Sequence, residues 1–218
     1  MQTSTQTEIE TYLDSLNWRY ATKEFDRDAK LPEPVLEGLL EAVRLSASSY
    51  GLQPYEIQVV SDPEVRQKLR AAGWDQSQIT DASHLLVFTY KTDFGPELVE
   101  SYIDRVSETR GVEKAKLNGY SDFMKSKLMD LPREQKSNWT ARQAYIAVGN
   151  LLSAAAVAQV DACPMEGFDP VKVDEILDLG SRNLSAAALV ALGYRSESDA
   201  TQHQNKVRRT RQELFTHI

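Results

Sequence analysis

Apolar residues are densest between positions 138 and 169. Residues 144–158 are rich in alanine, valine and leucine, which favour helix, and no proline follows before Pro164. Because apolar side chains fall on nearly every side of this helix, the pattern predicts a rod of roughly 30 Å that is buried on nearly every face. Its small residues would let another helix approach closely, including one from a second copy of the chain. The rod is expected to close on a turn at residues 163–169, where backbone N–H groups can face a ligand.

A membrane span is the alternative to a buried rod, because the apolar run is close to the length that a span requires. Asn150 and Ser153 interrupt the run, 26% of the chain is charged, and the mean hydropathy is −0.45. These features favour the core of a soluble protein.

Weaker periodic patterns predict the elements around the rod. Helices are expected where apolar residues recur every three or four positions, and strands where β-branched and apolar residues alternate or run together. Asp62 before Pro63 and Asp169 before Pro170 have the form of a helix cap and a first helical residue. The predicted helices cover residues 8–16, 32–44, 63–72 and 170–180, and the predicted strands cover 55–60, 85–90 and 184–192.

The order of these elements predicts a mixed α/β class, more narrowly an α+β fold with helices around a small sheet. The strand at 85–90 is almost continuously apolar, which indicates an interior position in the sheet. Polar composition predicts loops at 17–26, 46–54 and 74–79. The chain is expected to form one domain, because no linker rich in Pro, Gly or Ser divides it. Two appendages are predicted within it, a helical excursion at about 96–131 and a C-terminal arm at about 194–218.

Charge and composition narrow the function classes. The formal net charge of −7 argues against general attraction to nucleic acid. Cys163 is the only cysteine, which excludes an internal disulfide framework, and the first seven residues lack a basic segment followed by an apolar one. We therefore expect a cytoplasmic protein. The three histidines are isolated in the sequence, so we expect no metal site, and His84 is interpreted as a packed, hydrogen-bonded side chain.

Four segments allow two interpretations each when they are considered from the residues alone. Arg19 and Lys23 stand among aromatic residues. They belong either to a solvated loop or to a site that binds an anion. The hydroxyl-rich loop with Ser48 and Ser49 is a plain connection or a set of phosphate donors. The basic run 205–211 is either a solvated tail or a segment that binds phosphate. Phe123 belongs to the core or to a platform for substrate.

Taken together and in order, these segments resemble the FMN-dependent nitroreductase family, close to the oxygen-insensitive NAD(P)H nitroreductases and flavin reductases of bacteria. Each piece alone is weak evidence for the family. The ordered set is strong evidence, because its order and spacing match over essentially the whole chain. The pieces are Arg19, Lys23, Phe25 and Asp26; Ser46, Ser48, Ser49, Gln53 and Pro54; Asp81 to His84; Gly149 and Asn150; Pro164 to Asp169; and Lys206 with Arg208.

The resemblance implies a three-layer sandwich, with a small and mostly antiparallel sheet surrounded by helices around a long buried central helix. It also implies an intertwined homodimer with FMN at the subunit interface. Arg19, Lys206 and Arg208 would hold the FMN phosphate. Ser48 and Ser49 would come from the other subunit, and Lys23 would lie near the pyrimidine edge of the flavin ring. The implied FMN-binding residues are Arg19, Tyr20, Ala21, Lys23, Ser48, Ser49, Gly51, Asp75, Gln78, Pro164, Met165, Glu166, Gly167, Lys206 and Arg208, and the implied substrate residues are Phe123 and Tyr50.

The implied activity is ping-pong hydride transfer from NAD(P)H to flavin N5, and from there to nitroaromatic, quinone or flavin acceptors. The flavin carries the chemistry, so no catalytic side chain is expected. Other flavin chemistry on the same fold, such as dedicated flavin reduction or reductive dehalogenation, remains an alternative, as does a non-enzymatic flavin-binding protein. Gly51 and Gln78 depart from the commoner family residues, asparagine and lysine, as do Tyr20 and Ala21, and these changes bear on FMN affinity and potential.

Overall fold

A computed structural model describes residues 2–218 and the side chains of residues 5–218. Four strands form one antiparallel sheet in the spatial order β1-β2-β4-β3. The strands are β1 (Tyr55–Val60), β2 (His84–Lys91), β3 (Asp161–Met165) and β4 (Leu184–Gly193). The helices around them are α1 (Gln2–Trp18), α2 (Glu33–Arg44), α3 (Pro63–Ala72), α4 (Gln78–Asp81), α5 (Glu97–Arg110), α6 (Asn118–Leu128), α7 (Arg133–Val157), α8 (Pro170–Ile176) and α9 (Arg211–Leu214).

The interior position predicted for the strand at 85–90 is confirmed, because β2 pairs with β1 on one side and with β4 on the other. Successive side chains of a strand point to opposite faces. In β2, Leu85 and Val87 therefore pack with α3, α4 and α8, whereas Leu86 and Phe88 pack with α2 and α7. The sheet thus lies between two helical layers, each with its own apolar core.

Two predicted helix starts are also confirmed. The Asp62 carboxylate accepts from the backbone N–H groups of Glu64 and Val65 at the start of α3. The Asp169 carboxylate does the same for Val171 and Lys172 at the start of α8. A carboxylate at this position satisfies N–H groups that have no partner within the helix.

The long central helix is present, but the prediction that it is buried on nearly every face is wrong for a single chain. α7 packs against the sheet and α2 with one side and is also in contact with α1. Away from that side, Tyr145 is 40%, Ile146 46% and Val157 60% exposed. Ile146 and Val157 are about three helical turns apart and so lie on one stripe, which the described elements of the chain leave largely exposed. No helix in the described part of the chain is long and apolar enough to cross a membrane.

The predicted turn at 163–169 begins as a strand, and this part of the prediction is wrong. β3 holds Pro164 paired opposite Val190 of β4 and forms an edge of the sheet. Proline is tolerated there because an edge strand needs no N–H donor on its free side. The turn itself is limited to residues 166–169. The loop predicted at 74–79 likewise ends early, since α4 begins at Gln78.

Residues 96–131 contain α5 and α6, which bury a third apolar cluster between them. Ile103 of α5 and Met124 of α6 are almost fully buried there. Leu52, from the loop before β1, packs into the same cluster. The segment is therefore fastened to the loop that carries Ser48 and Ser49.

Candidate functional site

Three cations come together where α1 ends and the C-terminal segment returns. Arg19 directly follows α1, and Lys206 Nζ donates to its carbonyl oxygen. Burial, and then the charge of Arg208, lower the pKa of Arg19. Burial, and then the charges of Arg19 and Arg208, lower the pKa of Lys206. We call Arg19, Lys206 and Arg208 the cation group.

The cation group has the features of a site for an anion. In the described part of the chain, no ion pair joins any of its three members to a carboxylate. Among the residues that the structure describes, the buried Nε of Arg19 has no hydrogen-bond partner. A buried polar group without a partner and a set of like charges both cost free energy. A phosphate would relieve both costs, because guanidinium groups bind it through paired hydrogen bonds.

Asp199 joins the two chain segments that supply these cations. Its carboxylate is 1% exposed and accepts from the Tyr20 hydroxyl at 2.9 Å and from the backbone N–H groups of Lys23 at 2.8 Å and Glu24 at 3.2 Å. Its other oxygen accepts from Thr201 N–H at 2.9 Å. The segment after Arg19 and the segment before Lys206 are therefore held by one side chain.

A second buried carboxylate fastens the same segment to β3. Asp161 accepts from the Thr22 hydroxyl and pairs with Arg195 at 2.7 Å. The Arg195 guanidinium also lies 4.6 Å from the Tyr20 ring centroid. Ala21 forms a parallel bridge with Ala162 of β3. The structure thus brings Arg19, Tyr20, Ala21 and Lys23 to the strand that precedes the 166–169 turn.

The thiol of Cys163 in β3 is influenced by the charges of two cations. Burial raises the pKa of this thiol, and the charges of Lys23 and Arg19 act against that rise. Lys23 is itself exposed. An exposed cation therefore acts on Cys163, one residue before the segment Pro164 to Gly167.

The turn after β3 is held from two sides. Glu166 Oε1 accepts from the Tyr145 hydroxyl of α7 at 2.6 Å. The Gly167 carbonyl accepts from Gln76 Nε2 at 2.6 Å. A Cβ on Gly167 would lie only 3.0 Å from the ring of Trp74, so glycine allows this close approach. Trp74 is 70% exposed, and its ring is available to a ligand beside the turn.

Asp75 and Gln78, both predicted to bind FMN, lie in the segment that reaches this turn through Gln76. Asp75 is exposed and pairs with Arg70 at 2.6 Å. Gln78 is buried at the first position of α4. Of the two side chains, the exposed carboxylate is the one that can meet a ligand without rearrangement.

Ser48, Ser49 and Gly51 have their described contacts elsewhere in the chain. Ser49 N–H donates to the Gln143 side chain of α7 at 2.8 Å, and Ser48 Oγ accepts from Gln53 N–H at 2.9 Å. Gly51 has φ +75°, and a Cβ there would lie 3.0 Å from the Tyr102 ring. The single chain does not join these residues to the cation group through any described contact.

The two predicted substrate residues do lie together. The rings of Tyr50 and Phe123 meet edge to face with centroids 6.4 Å apart. Phe123 is 49% exposed and Tyr120 nearby on α6 is 42% exposed. An exposed aromatic surface therefore adjoins the loop of Ser48 and Ser49.

Sequence patterns gave no indication of Asp199, Tyr145 and Gln143. Asp199 caps a short turn through Thr201 N–H, and this local role is the only one that its sequence context could have suggested. Its hydrogen bond to Tyr20 joins residues 179 positions apart. Tyr145 and Gln143 lie within the apolar helix pattern, where their partners on other elements leave no local signal.

The described residues include no group of three or more His, Cys, Asp or Glu side chains arranged to hold a metal ion. His84 was predicted to be packed and hydrogen-bonded, and its Nδ1 does lie 3.0 Å from Ser83 Oγ. Burial lowers the pKa of His84, with the Arg66 charge as the next cause. Both effects favour the neutral imidazole of His84.

A family model described as the nitroreductase family matches residues 16–194. The chain belongs to the nitroreductase family. Membership confirms the family resemblance found in the sequence and makes the protein an oxidoreductase. The matched region includes Arg19, Ser48 and the turn at Glu166, but it ends before Lys206 and Arg208. Two members of the cation group therefore lie on the arm that follows the matched part of this nitroreductase.

Individual relatives extend the match over nearly the whole nitroreductase chain. A Staphylococcus epidermidis protein, provisionally named as an NAD(P)H nitroreductase, is 34% identical over an alignment of 223 positions. The alignment covers 96% of this chain and 97% of that protein. The Bacillus subtilis protein YfkO, with the same provisional name, is 37% identical over 194 residues, which cover 84% of this chain and 88% of that protein.

The solved structures show the nitroreductase fold. A provisionally named nitroreductase from Exiguobacterium sibiricum, solved in complex with FMN, matches with a TM-score of 0.82 at 15% identity, over 95% of this chain and 97% of that chain. At this identity the likeness concerns the fold, and it confirms the predicted α+β class with a small antiparallel sheet among helices.

Proposed function

We propose that the protein is an FMN-dependent NAD(P)H oxidoreductase. The observation that carries the proposal is the cation group: three like charges lie together, and the buried Nε of Arg19 has no hydrogen-bond partner among the described residues. These residues have the chemistry to hold the FMN phosphate. The relatives named for NAD(P)H nitroreductase activity and the FMN-bound structural neighbour support the same cofactor and co-substrate.

Each part of the site has a distinct task in this proposal. The cation group neutralises the phosphate, and Asp199 keeps its two chain segments together. Lys23, exposed beside β3, supplies positive charge near the ring. The residues from Pro164 to Gly167 would help to hold the flavin ring through their backbone groups. FMN, when bound there, would supply hydride chemistry between NAD(P)H and a nitroaromatic, quinone or flavin acceptor.

We further propose a homodimer in which the partner supplies Ser48 and Ser49. The uncovered stripe of α7 and the exposed Ile9 and Leu13 of α1 form an apolar surface. Between α1, α2 and α7 lies a groove of about 630 Å³, lined mainly by apolar side chains that include Leu39 and Val157. Exposed apolar areas of this kind mark protein interfaces. A second copy would cover the surface and bring the serines to the cation group.

The dimer predicts that Ile146→Glu yields a monomer with little bound FMN. A charge in the centre of an apolar interface has no partner and must be desolvated. Sedimentation velocity and the flavin-to-protein absorbance ratio measure both effects. Val171→Glu is the matched control, because Val171 is also exposed, at 64%, but lies on α8. A dimeric Ile146→Glu variant with full FMN would contradict the proposed interface.

The visible spectrum of the purified protein, before and after anaerobic NADPH, tests the function. A yellow protein that bleaches, and releases FMN on heating, is the expected result. A yellow protein that stays yellow would favour the non-enzymatic flavin-binding alternative. A colourless protein that also fails to take up added FMN would rule out the proposed function. If the protein bleaches, a panel of acceptors separates nitroreduction from dedicated flavin reduction and reductive dehalogenation.

A further inference from the structure

The hydroxyl of Tyr145 faces two acceptors at once. It lies 2.6 Å from Glu166 Oε1 and 3.0 Å from the Ala187 carbonyl oxygen. Ala187 falls at a β-bulge of β4, because the pairing with β2 passes from Ala188 directly to Ala186. The residue added at a bulge is left out of the ladder. Tyr145 therefore connects α7, the bulge of β4 and the turn after β3 at one point.

A phenol has one proton, so it can donate to only one of the two oxygens. The shorter distance is typical of a hydroxyl that donates to an ionised carboxylate, which identifies Glu166 as the preferred acceptor. Burial, and then the hydrogen bond to Glu166, raise the pKa of Tyr145 above its ordinary value. The phenol therefore keeps its proton throughout the neutral range and remains a donor.

Glu166 is the only charged residue between Pro164 and Gly167, and in the single chain it is exposed. None of the described ion pairs involves it. An exposed glutamate on a turn ordinarily samples several rotamers. The hydrogen bond from the Tyr145 hydroxyl on α7 thus restricts the Glu166 carboxylate to one position.

We propose that Tyr145 is a positioning residue that holds the negative charge of Glu166 at α7 and so controls how strongly the site favours reduced over oxidised FMN. The inference rests on the proposed function. A released carboxylate can approach the ligand or the exposed Lys23, and in either case the potential at the ring becomes more negative. The reduced, anionic cofactor then binds less tightly, whereas the oxidised ring, which is neutral, is affected less.

The test compares the wild-type protein with Tyr145→Phe, which keeps the ring and removes the hydroxyl. The dissociation constant of oxidised FMN is measured by fluorescence, and that of reduced FMN follows from the midpoint potential through the thermodynamic cycle. We expect the ratio of the reduced to the oxidised constant to rise about threefold to tenfold. A purely structural loss would raise both constants by the same factor. Tyr12→Phe is the control, because its hydroxyl also bonds to α7, at Ser153 and 3.1 Å.

A double-mutant cycle with Glu166→Gln separates the charge from packing. Glutamine can still accept from Tyr145 but brings no charge to be positioned. Adding Tyr145→Phe to Glu166→Gln should therefore leave the ratio unchanged within about 1.5-fold, a limit set by additivity errors. An equal rise of the ratio in both backgrounds, or no rise with Tyr145→Phe alone, would overturn the inference. A wild-type protein that binds no FMN would remove the proposed function, and the inference with it.

Discussion

Arg208→Gln should weaken FMN binding by about tenfold to a hundredfold, the usual effect of losing one hydrogen bond between charged groups. The same substitution should leave the melting temperature of the FMN-free protein unchanged, or raise it by about 2 °C. The reason is that Arg208 lowers the pKa of both Arg19 and Lys206, so without an anion its charge repels its neighbours. Fluorescence titration with FMN and thermal unfolding of the apoprotein measure the two effects.

Arg209→Gln is the matched control for this prediction. Arg209 is the next residue, is also exposed, and donates to the Glu213 carbonyl rather than joining the cation group. The same change of charge at this position should alter FMN affinity by less than about twofold, because exposed charges are screened. Equal losses in the two variants would indicate general attraction by the basic arm. Unchanged FMN occupancy in both Arg208→Gln and Lys206→Ala would remove the phosphate assignment. Turnover of the fully loaded variants should change less than their occupancy.

Asp199→Ala should lower the free energy of unfolding by about 2–4 kcal/mol and also reduce FMN affinity. The substitution leaves the Tyr20 hydroxyl and the N–H groups of Lys23, Glu24 and Thr201 without their acceptor. The segments that carry the cations then separate. Urea denaturation of the apoprotein and fluorescence titration with FMN measure the two losses. Asp62→Ala also removes a capping carboxylate, at α3, and should lower stability without changing FMN affinity.

The stability that Asp199 contributes should also depend on pH. Burial acts to raise its pKa, but hydrogen bonds from Lys23 N–H, Tyr20 and the other donors outweigh it, and the pKa lies below the ordinary value of 3.8. A carboxyl whose pKa is lowered by folding stabilises the protein fully above its unfolded pKa, and loses that contribution as pH falls through the folded value. The difference in the free energy of unfolding between the wild type and Asp199→Ala should therefore have its full value at pH 7 and decrease below a pH of about 3.8. A difference that is constant down to pH 3 would contradict this account.

Local chemistry was sufficient to predict much of the secondary structure. β1 begins and ends where alternation of side chains placed it, and the interior position of β2 followed from its continuous apolar run. The caps at Asp62 and Asp169 were also predicted, because a carboxylate and a following proline act within one turn of the chain. Such features depend on neighbours a few positions away, so the sequence contains all the information that they require.

The sites themselves depended on residues that are distant in sequence. Lys206 contacts Arg19, which is 187 positions away in the sequence. Without the family resemblance, the sequence did not distinguish binding segments from solvated ones, either for the loop that contains Arg19 or for the tail that contains Lys206. Only the family resemblance joined them before the structure was known. The contacts of Tyr145 with Glu166 and Ala187 had no counterpart in any sequence pattern.

The sequence by itself determined that this protein has a long apolar helix, an interior strand, two capped helices and the ordered pieces of one enzyme family. The tertiary structure decided which side of α7 is covered, that Pro164 lies in an edge strand, and that Arg19, Lys206 and Arg208 lie together with no ion pair to a carboxylate among the described residues. The physical reason is that propensity and periodicity act between near neighbours. Burial, electrostatic repulsion and hydrogen-bond satisfaction depend on every segment that packs at a point in space.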